Sequence, residues 1–214
     1  MKGIILKDLY DNFCIPKNAA SYIFGGGIAI LFSLLARNHF QYVLFVGVIF
    51  PMLGGCAVEA STEQDETANI NKLLITFPVT KTEIVLSKYL LGFGFLAATN
   101  ILSLTLAFVH VFLFHTLTLS EALHIFGLGV GVSLAFLAAS YLGYFLLGKR
   151  WGTIFFISVT LLFGALYGTA SSMLGVDIFL SCDIWVILVC LLIGAILTGL
   201  SFAISTKVFK RRYS

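Results

Sequence analysis

The sequence predicts an all-α, polytopic membrane protein with six transmembrane helices, an N-terminal interfacial helix and a short cytoplasmic helix between transmembrane helices 2 and 3. Of its 214 residues, 59% are hydrophobic and only 11% are charged, and the mean hydropathy is +1.03. A soluble domain of this size needs a more highly charged surface. The few charges are also confined to short stretches between long apolar segments. These observations predict a single transmembrane domain over residues 1–214.

Six segments without Asp, Glu, Lys or Arg are the predicted spans. A membrane-spanning helix needs roughly 20 mostly apolar residues, and each segment is close to that length. They are residues 21–36, 40–58, 89–114, 122–147, 152–176 and 184–206. The longest windows suit tilted helices or helices that project beyond the lipid. The count falls to five if one apolar segment is re-entrant.

The basic residues predict the orientation, because cytoplasmic loops of membrane proteins are enriched in Lys and Arg. With the N-terminus inside, the inner segments hold 12 of the 13 basic residues, and the outer loops hold only Arg37. The reverse orientation places those twelve residues outside. Both termini are therefore predicted to be cytoplasmic.

Residues 1–17 show the pattern of an amphipathic helix. Apolar residues recur at helical spacing, and charged or amide residues take the opposite face. The apolar residues are Ile5, Leu6, Leu9, Tyr10 and Phe13, and the polar residues are Lys7, Asp8, Asp11 and Asn12. This pattern is typical of a helix lying in the membrane interface, and Pro16 is predicted to end it. The alternative is a cytoplasmic extension of the first span.

Residues 59–87 form the only predicted cytoplasmic loop of any size. Thr80 followed by Glu83 is a capping box, which predicts a helix starting near Lys81 and continuing into the third span. Upstream, apolar residues three or four positions apart predict a short amphipathic helix that Pro78 ends. They are Ile70, Leu73, Leu74 and Phe77. The apolar face has two candidate partners, lipid headgroups or another protein.

Motifs for catalysis and nucleotide binding are absent from the sequence. It has no G-x-x-x-x-G-K-[ST] motif, and the run Gly127–Gly131 lies inside an apolar span without a preceding strand. Neither the four histidines nor the four cysteines have metal-ligand spacing. No charged residue lies in the middle of a predicted span, where ion-coupled transporters place functional groups. We therefore expect no enzyme activity, no cofactor or metal, and no nucleic-acid partner.

Small and polar residues in the spans predict close contacts between helices. Gly127 and Gly131 lie four residues apart in the fourth span, and Gly164 and Gly168 do so in the fifth. Each pair suits packing within the chain or contact with a second copy, and the pattern does not distinguish the two. Asn100 in the third span predicts an interhelical hydrogen bond.

The segment Leu73–Gly92 resembles a motif of the small six-helix permeases of the type-2 ABC exporter family. In that family the loop between helices 2 and 3 carries a pattern similar to L-P-v-s-R, followed by i-V and s-K-Y. This sequence has Phe77-Pro78-Val79-Thr80-Lys81, then Ile84-Val85, then Ser87-Lys88-Tyr89. Phe77 and Lys81 replace the usual Leu and Arg. The span count, the short outer loops and the N-terminal helix extend the resemblance over the whole chain.

The resemblance implies a non-catalytic permease that works with a separate ATP-binding cassette subunit. The short loop helix would then be a coupling helix that docks on the ATPase, and the N-terminal helix would be an elbow helix. The implied coupling surface consists of Ile70, Leu73, Leu74, Phe77, Pro78 and Lys81. Two permease copies and two ATPase subunits form the implied complex in the bacterial cytoplasmic membrane, with ATP and magnesium bound by the ATPase.

The resemblance also implies a cargo, because permeases of this kind include exporters of phenol-soluble modulins and antimicrobial-peptide resistance pumps. Amphipathic peptides are the cargo we expect. Short outer loops leave no receptor domain outside, which favours export over import. The competing classes are an ion-coupled secondary transporter and a non-transporting membrane scaffold or immunity protein.

Overall fold

A computed structural model describes residues 2–35, 37–67, 70 and 78–212, which are almost entirely helical and contain no strand. The α-helices are α1 Lys2–Phe13, α2 Pro16–Leu35, α3 His39–Tyr42, α4 Phe50–Leu53, α5 Ala57–Thr67, α6 Lys81–Phe108, α7 Leu119–Leu174, α8 Asp177–Leu180 and α9 Ile184–Arg212. A π-helical turn at Val43–Ile49 and a 3₁₀ turn at Gly54–Cys56 join α3, α4 and α5 into one long helix. A second π-helical turn at Val109–Leu113 extends α6.

Five of the described helices are long and apolar enough to cross a membrane. They are Pro16–Leu35, His39–Glu66, Lys81–Leu113, Leu119–Leu174 and Ile184–Arg212. The all-helical, polytopic fold class is therefore confirmed. Length and composition give five candidate spans where the charge pattern predicts six, because the fourth and fifth predicted spans both lie in α7.

The 56-residue helix α7 is not straight. At Gly148 the backbone has φ 75° and ψ −171°, which is not helical. A straight helix of this length would extend about 84 Å, whereas the hydrocarbon core of a bilayer is about 30 Å thick. Instead, the ring centroid of Phe136 lies 5.3 Å from that of Phe156 and 6.2 Å from that of Phe163. The two halves of α7 therefore lie side by side as an antiparallel hairpin.

The two glycine pairs have different surroundings. A Cβ atom added at Gly127 would lie 2.7 Å from Cγ2 of Ile187, and one at Gly131 would lie 2.6 Å from Sγ of Cys190. This pair lets the first half of α7 approach α9 closely. At Gly164 and Gly168, in the second half of α7, an added Cβ atom would have no neighbour within 4 Å among the described residues.

Buried polar groups also link the helices. Nδ2 of Asn100 donates to Oγ of Ser133 at 3.3 Å, so the predicted interhelical hydrogen bond is confirmed. The hydroxyl of Tyr141, on α7, donates to the carbonyl oxygen of Lys88 on α6 at 3.1 Å. The hydroxyls of Tyr89 on α6 and Ser201 on α9 lie 2.6 Å apart. These contacts hold α6, α7 and α9 together.

The outer surface of this bundle is apolar. Phe24 on α2, Leu161 on the second half of α7 and Trp185 on α9 are all well exposed. Large exposed apolar surfaces are unfavourable in water, whereas lipid tails are a suitable solvent for them. The exposed side chains are therefore those that a bilayer would surround.

Candidate functional site

The predicted 59–87 loop is shorter in the structure than in the sequence analysis, because α5 continues to Thr67. At the other end of the loop, the side chain of Thr80 accepts the backbone N–H of Glu83 at 3.2 Å, and the carboxylate of Glu83 accepts the backbone N–H of Thr80 at 2.8 Å. The capping box and the start of α6 at Lys81 are therefore confirmed.

Three members of the implied coupling surface, Leu73, Leu74 and Phe77, lie outside the described residues. Among the remaining members, Ile70 is half-buried and packs against an apolar cluster that includes Val58, Ile84 and Val85. Pro78 is exposed and Lys81 is half-buried. The contact made by Ile70 attaches the loop to the helices from which it emerges.

Five charged side chains meet where the 59–87 loop leaves the helices, and we call them the charge cluster. Lys7, Asp8 and Asp11 come from α1, Asp65 from α5 and Lys88 from α6. Nζ of Lys88 lies 2.5 Å from a carboxylate oxygen of Asp65 and 3.4 Å from one of Asp8. Nζ of Lys7 lies 3.0 Å from Asp8 and 2.9 Å from Asp11, and it also pairs with Asp65. The cluster therefore links α1 to both ends of the loop.

Burial makes this pairing necessary. Asp8 is 0%, Asp65 1% and Lys88 5% exposed. Removing a charge from water costs several kcal/mol unless an opposite charge and hydrogen bonds compensate. Burial alone would lower the pKa of Lys7, but the carboxylates of Asp65 and Asp8 outweigh that effect and raise the pKa above its ordinary value. Lys7 therefore stays protonated.

The three carboxylates of the charge cluster are close enough to hold a cation. One oxygen from each of Asp8, Asp11 and Asp65 lies within 4.8 Å of the others. The ammonium groups of Lys7 and Lys88 already lie among them and supply positive charge. The lysine ammonium groups thus neutralise the three carboxylates, as a bound metal ion would.

Helix α1 turns its polar face towards the protein. Asp8, Asp11 and Asn12 are buried, whereas Leu6 is 72% and Tyr10 61% exposed. This is the reverse of a helix on a soluble protein, and it suits a helix whose apolar face contacts lipid. α1 ends at Phe13, and Pro16 is the first residue of α2 rather than the last of α1. The helix thus ends before Pro16, as predicted, although it stops at Phe13 and is shorter than the predicted 1–17, and Pro16 opens α2 because proline is well suited to the first turn of a helix.

Acidic residues of α5 also bind two neighbouring segments. A carboxylate oxygen of Glu63 lies 3.1 Å from Nζ of Lys17 and 3.2 Å from Nζ of Lys149. The carboxylate of Glu66 accepts the backbone N–H of Lys149 at 2.6 Å. α5 is thus linked to the start of α2 and to the break at Gly148, in addition to α1 and α6.

The charge cluster is the feature that the sequence analysis missed. Lys88 and Asp8 are 80 positions apart in the sequence, and Asp65 and Lys88 are 23 apart. Patterns of neighbouring residues therefore cannot predict that these side chains meet. One signal was present: Lys88 lies beside the apolar start of the third span, where an unpaired ammonium group is costly. A carboxylate from elsewhere in the chain has to neutralise this charge, and the acidic end of the second span is one source.

A family profile described as "ABC-2 family transporter protein" matches residues 3–210. The chain belongs to the ABC-2 transporter family. No curated protein and no solved structure matches the chain. The family recognised in Leu73–Gly92 is confirmed, and the peptide-exporter subtype stays a prediction.

Membership of the ABC-2 family bears on what the end of the bundle that carries the charge cluster contacts. ABC-2 permeases are typically non-catalytic membrane subunits, and the family implies an ABC ATPase as partner. In this chain, the loop motif and the charge cluster lie at the same end of the helical bundle. This end is the candidate region for contact with an ATPase.

Proposed function

We propose that this protein is the permease subunit of an ATP-driven exporter that moves amphipathic or antimicrobial peptides out of the cell. The family match over residues 3–210 carries the proposal. ATP and magnesium bind to a separate ATPase subunit, and two copies of each subunit form the transporter. The surface made by Ile70, Leu73, Leu74, Phe77, Pro78 and Lys81 docks on the ATPase.

Six membrane crossings are part of this proposal. The hairpin at Gly148 supports it, because each half of α7 has more than the roughly 20 residues that a crossing requires. An even number of crossings puts α1, the 59–87 loop, the Gly148 turn and the end of α9 on one side. Lys17 and Lys149 both contact Glu63, and Arg212 donates to the carbonyl oxygen of Leu146 at 2.8 Å. These contacts support placing both ends of the chain on the same side as the 59–87 loop, and the basic residues on that side favour the cytoplasm.

The charge cluster gives the ATPase a mechanical connection to the helices. Asp65 and Lys88 lie at the two ends of the 59–87 loop and contact each other directly. A displacement of the loop therefore moves α5 and α6 together, and the contacts of Lys7 and Lys88 with Asp8 extend this movement to α1. Separating these groups would leave buried charges unpaired, so the three helices move as a unit.

Purification of the tagged protein from its native host in mild detergent, followed by mass spectrometry, tests the permease assignment. We expect an ABC ATPase subunit in equal stoichiometry. The Leu161→Ser variant, altered on an exposed part of α7 away from the loop, should retain the ATPase and serves as a control. A preparation that lacks any ATPase even after crosslinking would contradict the assignment.

A deletion strain tests the cargo separately. We expect it to secrete less amphipathic peptide and to become more sensitive to such peptides added to the medium. Normal secretion and normal tolerance would contradict a peptide cargo while leaving the permease assignment in place.

A further inference from the structure

A cavity of about 390 Å³ lies between α2, the second span His39–Glu66 and α6. Ligand pockets in proteins have volumes of roughly 300–1,000 Å³, so this space is large enough for a small organic molecule or a peptide side-chain cluster. It lies within a single chain and needs no second copy to form its walls.

The residues that line the cavity change from charged to apolar along the helices. Lys17, Glu59 and Glu63 line the end near the 59–87 loop, where α2 begins and α5 ends. Leu53 and Leu102 line the other end, about two turns further along their helices. One end of the cavity is therefore charged and the other apolar, which matches an amphipathic molecule.

The charged end has an acidic group available for a ligand. Glu63 is paired with Lys17 and Lys149, whereas Glu59 makes no hydrogen bond or ion pair within the described parts of the chain. Glu59 is half-buried and lies one helical turn from Glu63, towards the apolar end. A carboxylate in this position favours a cation that enters the cavity.

Aromatic rings form part of the same wall. The ring centroids of Tyr22 and Phe95 are 5.7 Å apart, and Phe13 stacks on Phe95 at 5.3 Å. Aromatic faces attract ammonium and guanidinium groups, most strongly where water is excluded. Lys17 acts on Glu59 electrostatically but does not hydrogen-bond to it. A carboxylate without a hydrogen-bond partner, aromatic rings and an apolar end together favour a molecule with a positive charge on an apolar body.

We propose that this cavity binds a cationic amphipathic molecule, with its ammonium or guanidinium group at Glu59 and its apolar part between Tyr22, Phe95 and the glycines of α2. The identification of this molecule as cargo rests on the proposed function, whereas binding itself requires no ATPase. The proposal narrows the cargo from amphipathic peptides in general to those that carry a basic group.

Two neighbouring glycines provide a matched pair of variants. Gly26 lines the cavity and Gly27 does not, and an added Cβ atom at either position meets nothing within 4 Å. Gly26→Phe therefore places a ring in the cavity with room for its Cβ atom, and Gly27→Phe places the same ring on the exposed side of α2. Glu59→Gln removes the carboxylate, and Asp183→Asn removes one negative charge at an exposed position on another part of the chain.

The test is binding of rhodamine 6G, a cationic aromatic amphiphile, to the protein in phosphatidylcholine nanodiscs, followed by fluorescence polarisation with empty nanodiscs as the blank. We expect saturable binding that Glu59→Gln weakens about tenfold, the effect of losing one charged hydrogen-bond partner. Gly26→Phe should also weaken binding, while Gly27→Phe and Asp183→Asn should bind as the wild type does. Anionic fluorescein should not bind.

Absence of saturable binding, or equal binding by wild type, Glu59→Gln and Gly26→Phe, would overturn the inference. These outcomes differ from a failure of the proposed function, because the binding measurement contains no ATPase. Recovery of an ATPase without rhodamine binding would overturn the cavity assignment alone. Binding by a protein that recovers no ATPase would support the cavity and contradict the ABC permease assignment.

Discussion

Lys88 links two buried carboxylates of the charge cluster. Its ammonium group lies in a buried position between Asp65 and Asp8, and the hydroxyl of Tyr141 donates to its carbonyl oxygen. In the sequence it belongs to the Ser87-Lys88-Tyr89 part of the motif, and Tyr89 packs against Tyr141 with ring centroids 4.8 Å apart. The loop motif therefore includes residues that hold α6 in place.

Replacing Lys88 with Met should lower stability by about 3–5 kcal/mol, because Asp8 and Asp65 lose a buried counter-charge. Thermal unfolding of the detergent-solubilised protein measures the change. Lys210→Met, at an exposed position on α9, is the control and should have little effect. The double variant Lys88→Met/Asp65→Asn should be less destabilised than the sum of the two single changes. Additive effects would show that Lys88 and Asp65 do not interact.

At the scale of single elements, α7 shows how one residue divides a long apolar stretch. Gly148 has a positive φ, which is costly for any other residue, and Lys149 and Arg150 follow it immediately. The charges predicted this boundary between two spans. The sharpness of the turn, which brings Phe136 against Phe156, depends on the backbone conformation of Gly148 and on the hydrogen bond from Lys149 to Glu66.

Replacing Gly148 with Ala should destabilise the protein by about 1–3 kcal/mol, the usual cost of a backbone held in a sparsely populated region. The same unfolding measurement tests this expectation. Gly94→Ala is the control, because Gly94 is helical and an added Cβ atom there has no neighbour within 4 Å. Gly94→Ala should be neutral or slightly stabilising. Equal stability of Gly148→Ala and wild type would contradict a turn that requires glycine.

The two glycine pairs of α7 should respond differently to a larger side chain. Gly131→Leu should destabilise the single chain by about 1–3 kcal/mol or more, because the new side chain would overlap Cys190. Gly164→Leu should leave the chain's stability unchanged and reduce the dimer fraction, since its surroundings are open. Unfolding and mass photometry of the same samples separate the two effects. An unchanged dimer fraction in Gly164→Leu would contradict a dimer contact at Gly164 and Gly168.

At the scale of the whole molecule, the fold class and the family could be predicted from the sequence, whereas the contacts at the loop could not. Spans are local features, because each apolar run is set by its own residues. The capping box at Thr80 and Glu83 is local as well. The charge cluster joins Asp8, Asp65 and Lys88 from three helices, so its members meet only after the chain has folded.

The sequence also could not distinguish the close contact at Gly131 from the open surroundings of Gly164, because both depend on how separate helices pack. Both pairs have the same spacing, and the difference lies in whether α9 passes nearby. The apolar face of α1 is exposed, as predicted for a helix in the membrane interface, whereas the buried partners of its polar face could not be predicted. The buried carboxylates of Asp8 and Asp11 point inward because Lys7 and Lys88 neutralise them there.

The coupling surface leads to a prediction for the assembled transporter. Leu74→Glu or Phe77→Glu should uncouple ATP hydrolysis from transport, because each puts an unpaired charge into the contact proposed with the ATPase. The purified complex should show at least a tenfold loss of transport, which corresponds to about 1.4 kcal/mol or more. Membrane insertion should be unaffected, as cell fractionation would show. Full ATPase binding and transport by both variants would contradict the assigned surface.

The most direct test of the central claim is uptake of a basic amphipathic peptide into inverted membrane vesicles that contain the protein and its co-purified ATPase. The account predicts uptake that requires ATP and magnesium and persists when ionophores collapse the proton and sodium gradients. Uptake that follows an ion gradient and continues without ATP hydrolysis would contradict the account and identify a secondary transporter instead.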